Sequence, residues 1–304
     1  MASSTHELPS VAGVRDPAGT PHAFRVRLRR LNRDLRRSKQ AIMGLTIVGI
    51  LVVLAAAAPI LAPADPGKPN LSESLQSPSL SHPFGTDELG RDILGRIIHG
   101  ARVSLIVAGI AVGISLLGGV PIGVISGYWQ GAIGSVLMRL MDAIQAFPGV
   151  LLAIAIASTL GPGITNAMIA IGIVGIPTFA RLSRGEVLRL RSVEFVNAAI
   201  STGAGSTRVL SRHILPNGVA PVIVAIATSC AGAILTEASL SFVGLGAAPP
   251  NPSWGSMLQS GYPFMQIAPW LSIFPGLAIA VTTLGFIFLG DGLRDILDPR
   301  LRGR

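Results

Sequence analysis

VSLIVAGIAVGISLLGGVPIGVISGYWQGAIGSVLM, residues 103–138, carries no acidic residue, no basic residue and no histidine. A bilayer-spanning helix needs about 20 apolar residues, so this run is too long for one span. The polar and glycine-flanked sequence GYWQG at 127–131 is where it divides. Similar gaps recur along the chain. No charge follows Asp142 until Arg181, and between His213 and Asp291 the one charged residue is Glu237. Half of the 304 residues are hydrophobic and 13% are charged, against about a quarter charged in soluble domains. Thirty-six Gly and 22 Pro are compatible with this reading, because membrane helices tolerate both. The fold class that follows is an all-α polytopic membrane protein.

The charge gaps place six transmembrane helices at 41–62, 103–127, 132–160, 164–180, 217–245 and about 270–290. Breaks lie at Gly161-Pro162-Gly163 and in GAAPPNP, 246–252. Residues 1–24 lack periodicity and read as disordered; with 25–40 they form a basic N-terminal tail. A signal peptide is the competing reading of 41–62, given its alanine-rich end. The run is too long for that and too far from Met1. Residues 63–102 form an outer loop, in which Leu89, Ile93, Leu94, Ile97 and Ile98 mark a short amphipathic helix. Thr86 or Asp87 is its expected N-cap and Asp92–Arg96 its i,i+4 ion pair. Residues 103–290 make a five-helix core interrupted by the polar loop 181–216, and 291–304 form a second basic tail.

Formal net charge is +9, and eight basic residues crowd between Arg25 and Lys39. Nucleic-acid binding is a poor account of them, since no aromatic stacking residues are interleaved. With both termini placed inside, 20 Lys and Arg fall on the inner side or at its membrane edge and four on the outer. That asymmetry predicts cytoplasmic N- and C-termini in a multi-pass chain of the lipid bilayer.

Enzymatic signatures are absent from the sequence. Neither Lys39 nor Lys68 sits in the glycine spacing of a phosphate-binding loop, so a nucleotide-driven pump would borrow its ATPase. The five histidines show no paired metal-ligand spacing, and the single Cys230 builds no metal or disulfide framework. Catalytic and metal residues are therefore assigned as none. Two carboxylates lie in the apolar segments. Asp142 stands one turn from Arg139, which favours a structural ion pair. Glu237 is deeper and reads as a neutral or hydrogen-bonded group between helices rather than a proton relay, because no partner carboxylates or histidines accompany it. Gly109-x3-Gly113, Gly119-x3-Gly123 and Gly123-x3-Gly127 allow close helix contacts.

The most informative segment is SVEFVNAAISTG, 192–203, followed by AGSTRVLSRHILPN, 204–217. It reads as a short helix ended by Gly203, then a second short helix capped by Ser206 or Thr207, with Pro216 opening the next span. Such a pair makes a knob suited to docking another protein; an ordinary surface loop is the plainer alternative.

Asn197-Ala198-Ala199, Gly203 and Leu215-Pro216 resemble the "EAA" loop of the transmembrane subunits of bacterial ABC importers. From residue 40 onward the chain is similar to the C-type permease subunits of dipeptide and oligopeptide importers, with nickel importers nearby. HPFGTDELGRDIL at 82–94, GARVSL at 100–105, Asp142 with Phe147-Pro148, and RHILPN at 212–217 carry the likeness. So do EASLSFVGLG at 237–246, PSWG at 252–255, APW at 268–270, Pro275-Gly276 and GDGLRDILDPR at 290–300. Two features depart from the pattern within the loop: Asn197 replaces the glutamate for which it is named, and His213 replaces an isoleucine. The Asn usual before the tail motif is missing in FIFL, 286–289.

The resemblance implies a type I ABC importer permease fold in the bacterial cytoplasmic membrane. It implies a loop of Asn197, Ala198, Ala199, Gly203, His213, Leu215 and Pro216 seated in a cleft of the ATPases. A homologous second permease subunit would complete the path for di- or oligopeptides. Two cytoplasmic ATP-binding subunits would hold ATP and Mg, so this chain needs no cofactor of its own. An extracytoplasmic peptide-binding protein would deliver substrate to 63–102 and 246–269. Nickel transport is the alternative within the family, and external His82 and His99 alone do not favour it. A stand-alone secondary transporter would call for coupling carboxylates and broken helices in matching halves.

Overall fold

The computed structural model describes residues 38–63, 65–247 and 250–297. Of the disordered and basic tail read at 1–40, residues 1–37 lie outside the described residues, as do 298–304 of the tail read at 291–304. Among those described, the regular elements are helices, and the single β-type pairing is an isolated bridge between Thr86 and Asp92.

Helix α1 (Lys39–Leu61) starts where the Ser38 hydroxyl accepts from the Ala41 amide at 3.2 Å, an N-cap that satisfies one orphan donor. Helix α2 (Ile93–Tyr128) is 36 residues long, about 54 Å at 1.5 Å per residue. It absorbs the expected amphipathic segment, so that segment and the following span are one helix. Its cap is Asp92, whose carboxylate accepts from the Gly95 amide at 2.7 Å, in place of Thr86 or Asp87. The i,i+4 pair with Arg96 does not form either, because the Asp92 carboxylate is occupied by this cap and by His82.

The expected span at 132–160 is two helices, α3 (Ala132–Gln145) and α4 (Gly149–Leu160), bent by 89° across the break at 146–148. Pro148 lacks an amide hydrogen and disfavours helix at Phe147, which explains the corner. Helix α5 (Ile164–Arg191) runs eleven residues past its apolar stretch. Helix α6 (Glu194–Ser201) is followed by α7 (Ser206–Phe242), a continuous helix of 37 residues. After the short α8 (Trp254–Gly261) the chain closes with α9 (Trp270–Leu297). Among the described residues, five helices are long and apolar enough to cross a bilayer, or there are six spans if the bent pair α3–α4 counts as one.

Packing follows the small residues. A Cβ on Gly119 or Gly123 would strike the α5 backbone at Ile176, Ala180 or Arg184, and Gly127 faces Val187. The backbones of α2 and α5 therefore meet closely, and the Ser115 hydroxyl donates to Gly172 O across the contact at 2.8 Å. On the other side Gly44 of α1 meets the Leu289 backbone of α9, and Gly292 meets Ala41. Gly109 and Gly113, read from sequence as another close contact, have no neighbour there. The bundle thus has two ends. The loop end holds the α2–α3 turn and the α5–α6–α7 connection; the cap end holds 65–92, the α4–α5 turn and α8.

Candidate functional site

At the loop end, α6 and the start of α7 sit on a small apolar core separate from the membrane core. Val187 and Leu190 of α5 join Val196 of α6 and Val209 and Ile214 of α7, with Val124 and Tyr128 packed against them. Arg191 fixes this unit to α2. Its guanidinium donates to Tyr128 O at 2.6 Å and lies 5.1 Å from the centre of the Tyr128 ring. The amide of Gly203 donates to Ile200 O at 2.9 Å with φ at +84°, a left-handed C-terminal stop that glycine adopts without strain. Gly205 occupies the cap position before Ser206, so neither Ser206 nor Thr207 caps. The second short helix is also not separate: a π-helical stretch, Val209–Ile214, carries it into the span. Within that stretch the His213 ring lies 6.4 Å from the Phe195 ring, and Asn217 donates to His213 O at 2.7 Å.

Of the loop residues singled out from sequence, Asn197, Ala198, Gly203, Leu215 and Pro216 are exposed, while Ala199 and His213 are half-buried. Phe195 and Ile200, which the sequence reading passed over, present large apolar side chains beside them. Helical spacing was the available signal: Val196 is buried on one face of α6, leaving Phe195 and Ile200 on others. Exposed apolar patches with polar neighbours mark surfaces that contact proteins or membranes.

The two membrane carboxylates differ. Asp142 bonds to Arg181 of α5, with Oδ1 2.6 Å from Nη2, and both side chains are about half exposed. Its ion-pair partner is thus 39 positions away in the chain rather than Arg139. Glu237 is wholly buried. Ser241, one turn on, donates to its Oε1 at 2.6 Å, and the Ala247 amide donates to the Ser241 hydroxyl at 3.2 Å. That places Glu237 in a hydrogen-bonded knot joining α7 to the chain leading into α8.

The cap end is organised by HPFGTDELGRDIL. Residues 70–76 run beside 86–89, with the Asn70 amide donating to Leu89 O at 2.8 Å and Leu75 to Asp87 O at 3.0 Å. The Asp87 carboxylate accepts from the Leu89 and Arg91 amides and from Arg91 Nε at 2.6 Å. Arg96 Nε lies 3.5 Å from the same carboxylate, and its Nη1 donates to Pro66 O at 2.7 Å. His82 Nδ1 is 3.1 Å from Asp92 Oδ1, and His99 Nε2 is 3.0 Å from Ala62 O. Tryptophans tie this segment to the later helices. Trp254, wedged against Gly100, donates to Ile97 O at 3.0 Å. Trp270 donates to Thr86 O at 3.3 Å, and Phe84 stacks on Phe274 with centroids 4.1 Å apart.

Residues 119–303 match the family described as binding-protein-dependent transport system inner membrane component. Residues 27–78 match the N-terminal transmembrane domain of oligopeptide transport permease C. The chain is 46% identical over 270 residues to the dipeptide transport system permease protein of Alkalihalophilus pseudofirmus, covering 89% of each chain. It is 43% identical to a glutathione transport system permease protein of Escherichia coli O6:K15:H31, covering 89% of this chain and 90% of that one. It is 42% identical to a putative peptide transport system permease protein of Brucella suis, covering 89% and 91%. In fold it resembles a chain of the MetNI methionine ABC transporter solved in inward-facing conformations, with a TM-score of 0.54 and 17% identity. That match covers 66% of this chain and 96% of the other.

Proposed function

We propose that this chain, which belongs to the family of binding-protein-dependent transport system inner membrane components, is one of two permease subunits of an ATP-driven peptide importer. Relatives named for dipeptide, peptide and glutathione transport at 42–46% identity favour a peptide over nickel as cargo. Membership also fits a multi-pass chain of the cytoplasmic membrane.

The observation that carries the reading is the loop-end unit. It has its own apolar core, is fastened to α2 through Arg191, and presents Phe195, Asn197, Ala198 and Ile200 outward. Two ATP-binding subunits, which hold ATP and Mg, grip this unit, and their closure moves it as a lever to switch the path between the two membrane faces. That places the loop end and both termini in the cytoplasm. A homologous permease forms the other half of the path, and an extracytoplasmic peptide-binding protein docks on the cap end.

Purification of the tagged chain from native membranes in mild detergent tests the assembly. A second permease, ATPases with phosphate-binding loops and a peptide-binding protein should copurify. A lone chain that moves substrate without ATP would refute it. Within the complex, Gly203→Asp should leave membrane insertion intact and abolish stimulated ATP hydrolysis and uptake, since an L side chain is strained at this φ. Wild-type values in that variant would remove the docking assignment.

A further inference from the structure

We infer that the π-helical stretch Val209–Ile214 and the cavity beside it form a hinge that lets the loop end of α7 move against α2 and α5. This rests on the docking reading above and adds where the motion is absorbed.

The backbone supplies the first argument. The Leu215 amide donates to Leu210 O, five residues back, so the stretch holds more residues per turn than an α-helix. Such insertions occur mostly as single turns and often at functional sites. Pro216, immediately after, has no amide hydrogen to continue the ladder, and Pro221 removes another donor a turn later. The helix is therefore weakest in its hydrogen bonding where it leaves the loop-end unit. Returning this stretch to α-geometry changes the register by one residue, which turns the preceding segment by about 100°.

Space is the second argument. An open, largely apolar cavity of about 180 Å³ lies between Val120 and Val124 of α2, Val187 of α5, and Ile214, Leu215 and Val222 of α7. The recess opens at the surface, where Leu215 and Val219 are exposed, so side chains can enter it without displacing close-packed neighbours. Ser183, buried in the same wall, has no hydrogen-bond partner for its hydroxyl. Ile214 belongs both to the π stretch and to the cavity wall, and with Val209 it anchors α7 in the loop-end core. A shift of α7 into this space carries α6 with it through Val196 and needs no rupture of the membrane core.

The third argument is the cap end, where Trp254 ties α8 to α2, Trp270 ties α9 to Thr86 just before α2, and the Glu237 knot ties α7 to the chain leading into α8. Motion within the chain is thereby directed to the opposite end.

Two measurements on the complex reconstituted with its ATPases test the hinge. Val120→Phe and Val222→Phe fill the cavity from opposite walls. Each should retain the ATPases on purification and reduce uptake at least tenfold. Assembled variants that transport within twofold of the unsubstituted complex would overturn the proposal. Should the variants fail to assemble, spin labels decide it in an otherwise unaltered cavity. Cys230, the one native cysteine, is first replaced by serine. Labels at exposed Gln130 and Thr207 should change separation between nucleotide-free and ATP-bound states, whereas labels at Leu80 and Tyr262 should not. A fixed 130–207 distance with ATPases bound would exclude the hinge and leave docking intact. Failure of the unsubstituted complex to retain ATPases would instead remove the docking reading beneath it.

Discussion

The two ends of the bundle are built from different bonds. At the cap end, two arginines converge on the Asp87 carboxylate, two tryptophans donate to carbonyls, and Glu237, Ser241 and Ala247 are linked in series. These bonds are directional, and most of their atoms are buried. At the loop end, five aliphatic side chains hold α5, α6 and α7 together, with one arginine fastening them to α2 and a cavity alongside. Apolar contact is non-directional, so aliphatic surfaces can slide and repack, while a buried polar bond that stretches leaves an unsatisfied group that is costly. The contrast fits one end that keeps its shape and another that transmits movement.

The largest effect that could break this contrast is expected at Asp87. Asp87→Ala takes the shared carboxylate from Arg91 and Arg96, whose side chains are more than nine-tenths buried, leaving Arg91 with Glu88 and Arg96 with the Pro66 carbonyl. Removing one partner of a buried ion pair costs about 3–5 kcal/mol, to be read from the denaturation midpoint of the detergent-purified chain. A loss below about 1 kcal/mol would mean that the cap end is not braced by these charges. An intermediate effect is expected at Ile214. Ile214→Val removes one buried methylene and should cost about 0.5–1.5 kcal/mol, while uptake per ATP hydrolysed falls by a larger factor than that stability loss implies. Equal loss of ATP hydrolysis and uptake would indicate a role in structure alone. The smallest effect is expected at Asp142. The pair with Arg181 is half exposed, and such pairs contribute about 0.2–1 kcal/mol, so Asp142→Asn should barely move the midpoint.

Much of this architecture is legible in the sequence. Long charge gaps at 103–138 and 143–180 mark the spans because a bilayer excludes charge, and that signal is independent of tertiary detail. The stop at Gly203 is legible too, since a positive φ favours glycine. Several unread features depend on contacts between distant residues. Arg96 reads as the partner of Asp92 at helical spacing, yet the fold delivers Asp87 to it and leaves Asp92 to cap α2 and face His82. Arg139 is the local candidate for Asp142, and the packing of α3 against α5 through Met138, Met141 and Ala180 presents Arg181 instead. The corner at Phe147-Pro148 lies inside an unbroken apolar run, where hydropathy has no directional content. The π stretch likewise has no local spelling. Pro216 announces a helix start, and the structure shows the helix already under way.

Disulfide or photo-cross-linking in native membranes tests the central claim most directly, with one reporter on each end of the chain. In a Cys230→Ser background, a reporter replacing the exposed Asn197 should capture an ATPase subunit, and one replacing the exposed Leu80 should capture no ATPase. ATPase captured from position 80, or from neither position in a transport-competent complex, would contradict the assignment of the loop end as the site where ATP hydrolysis is coupled to transport.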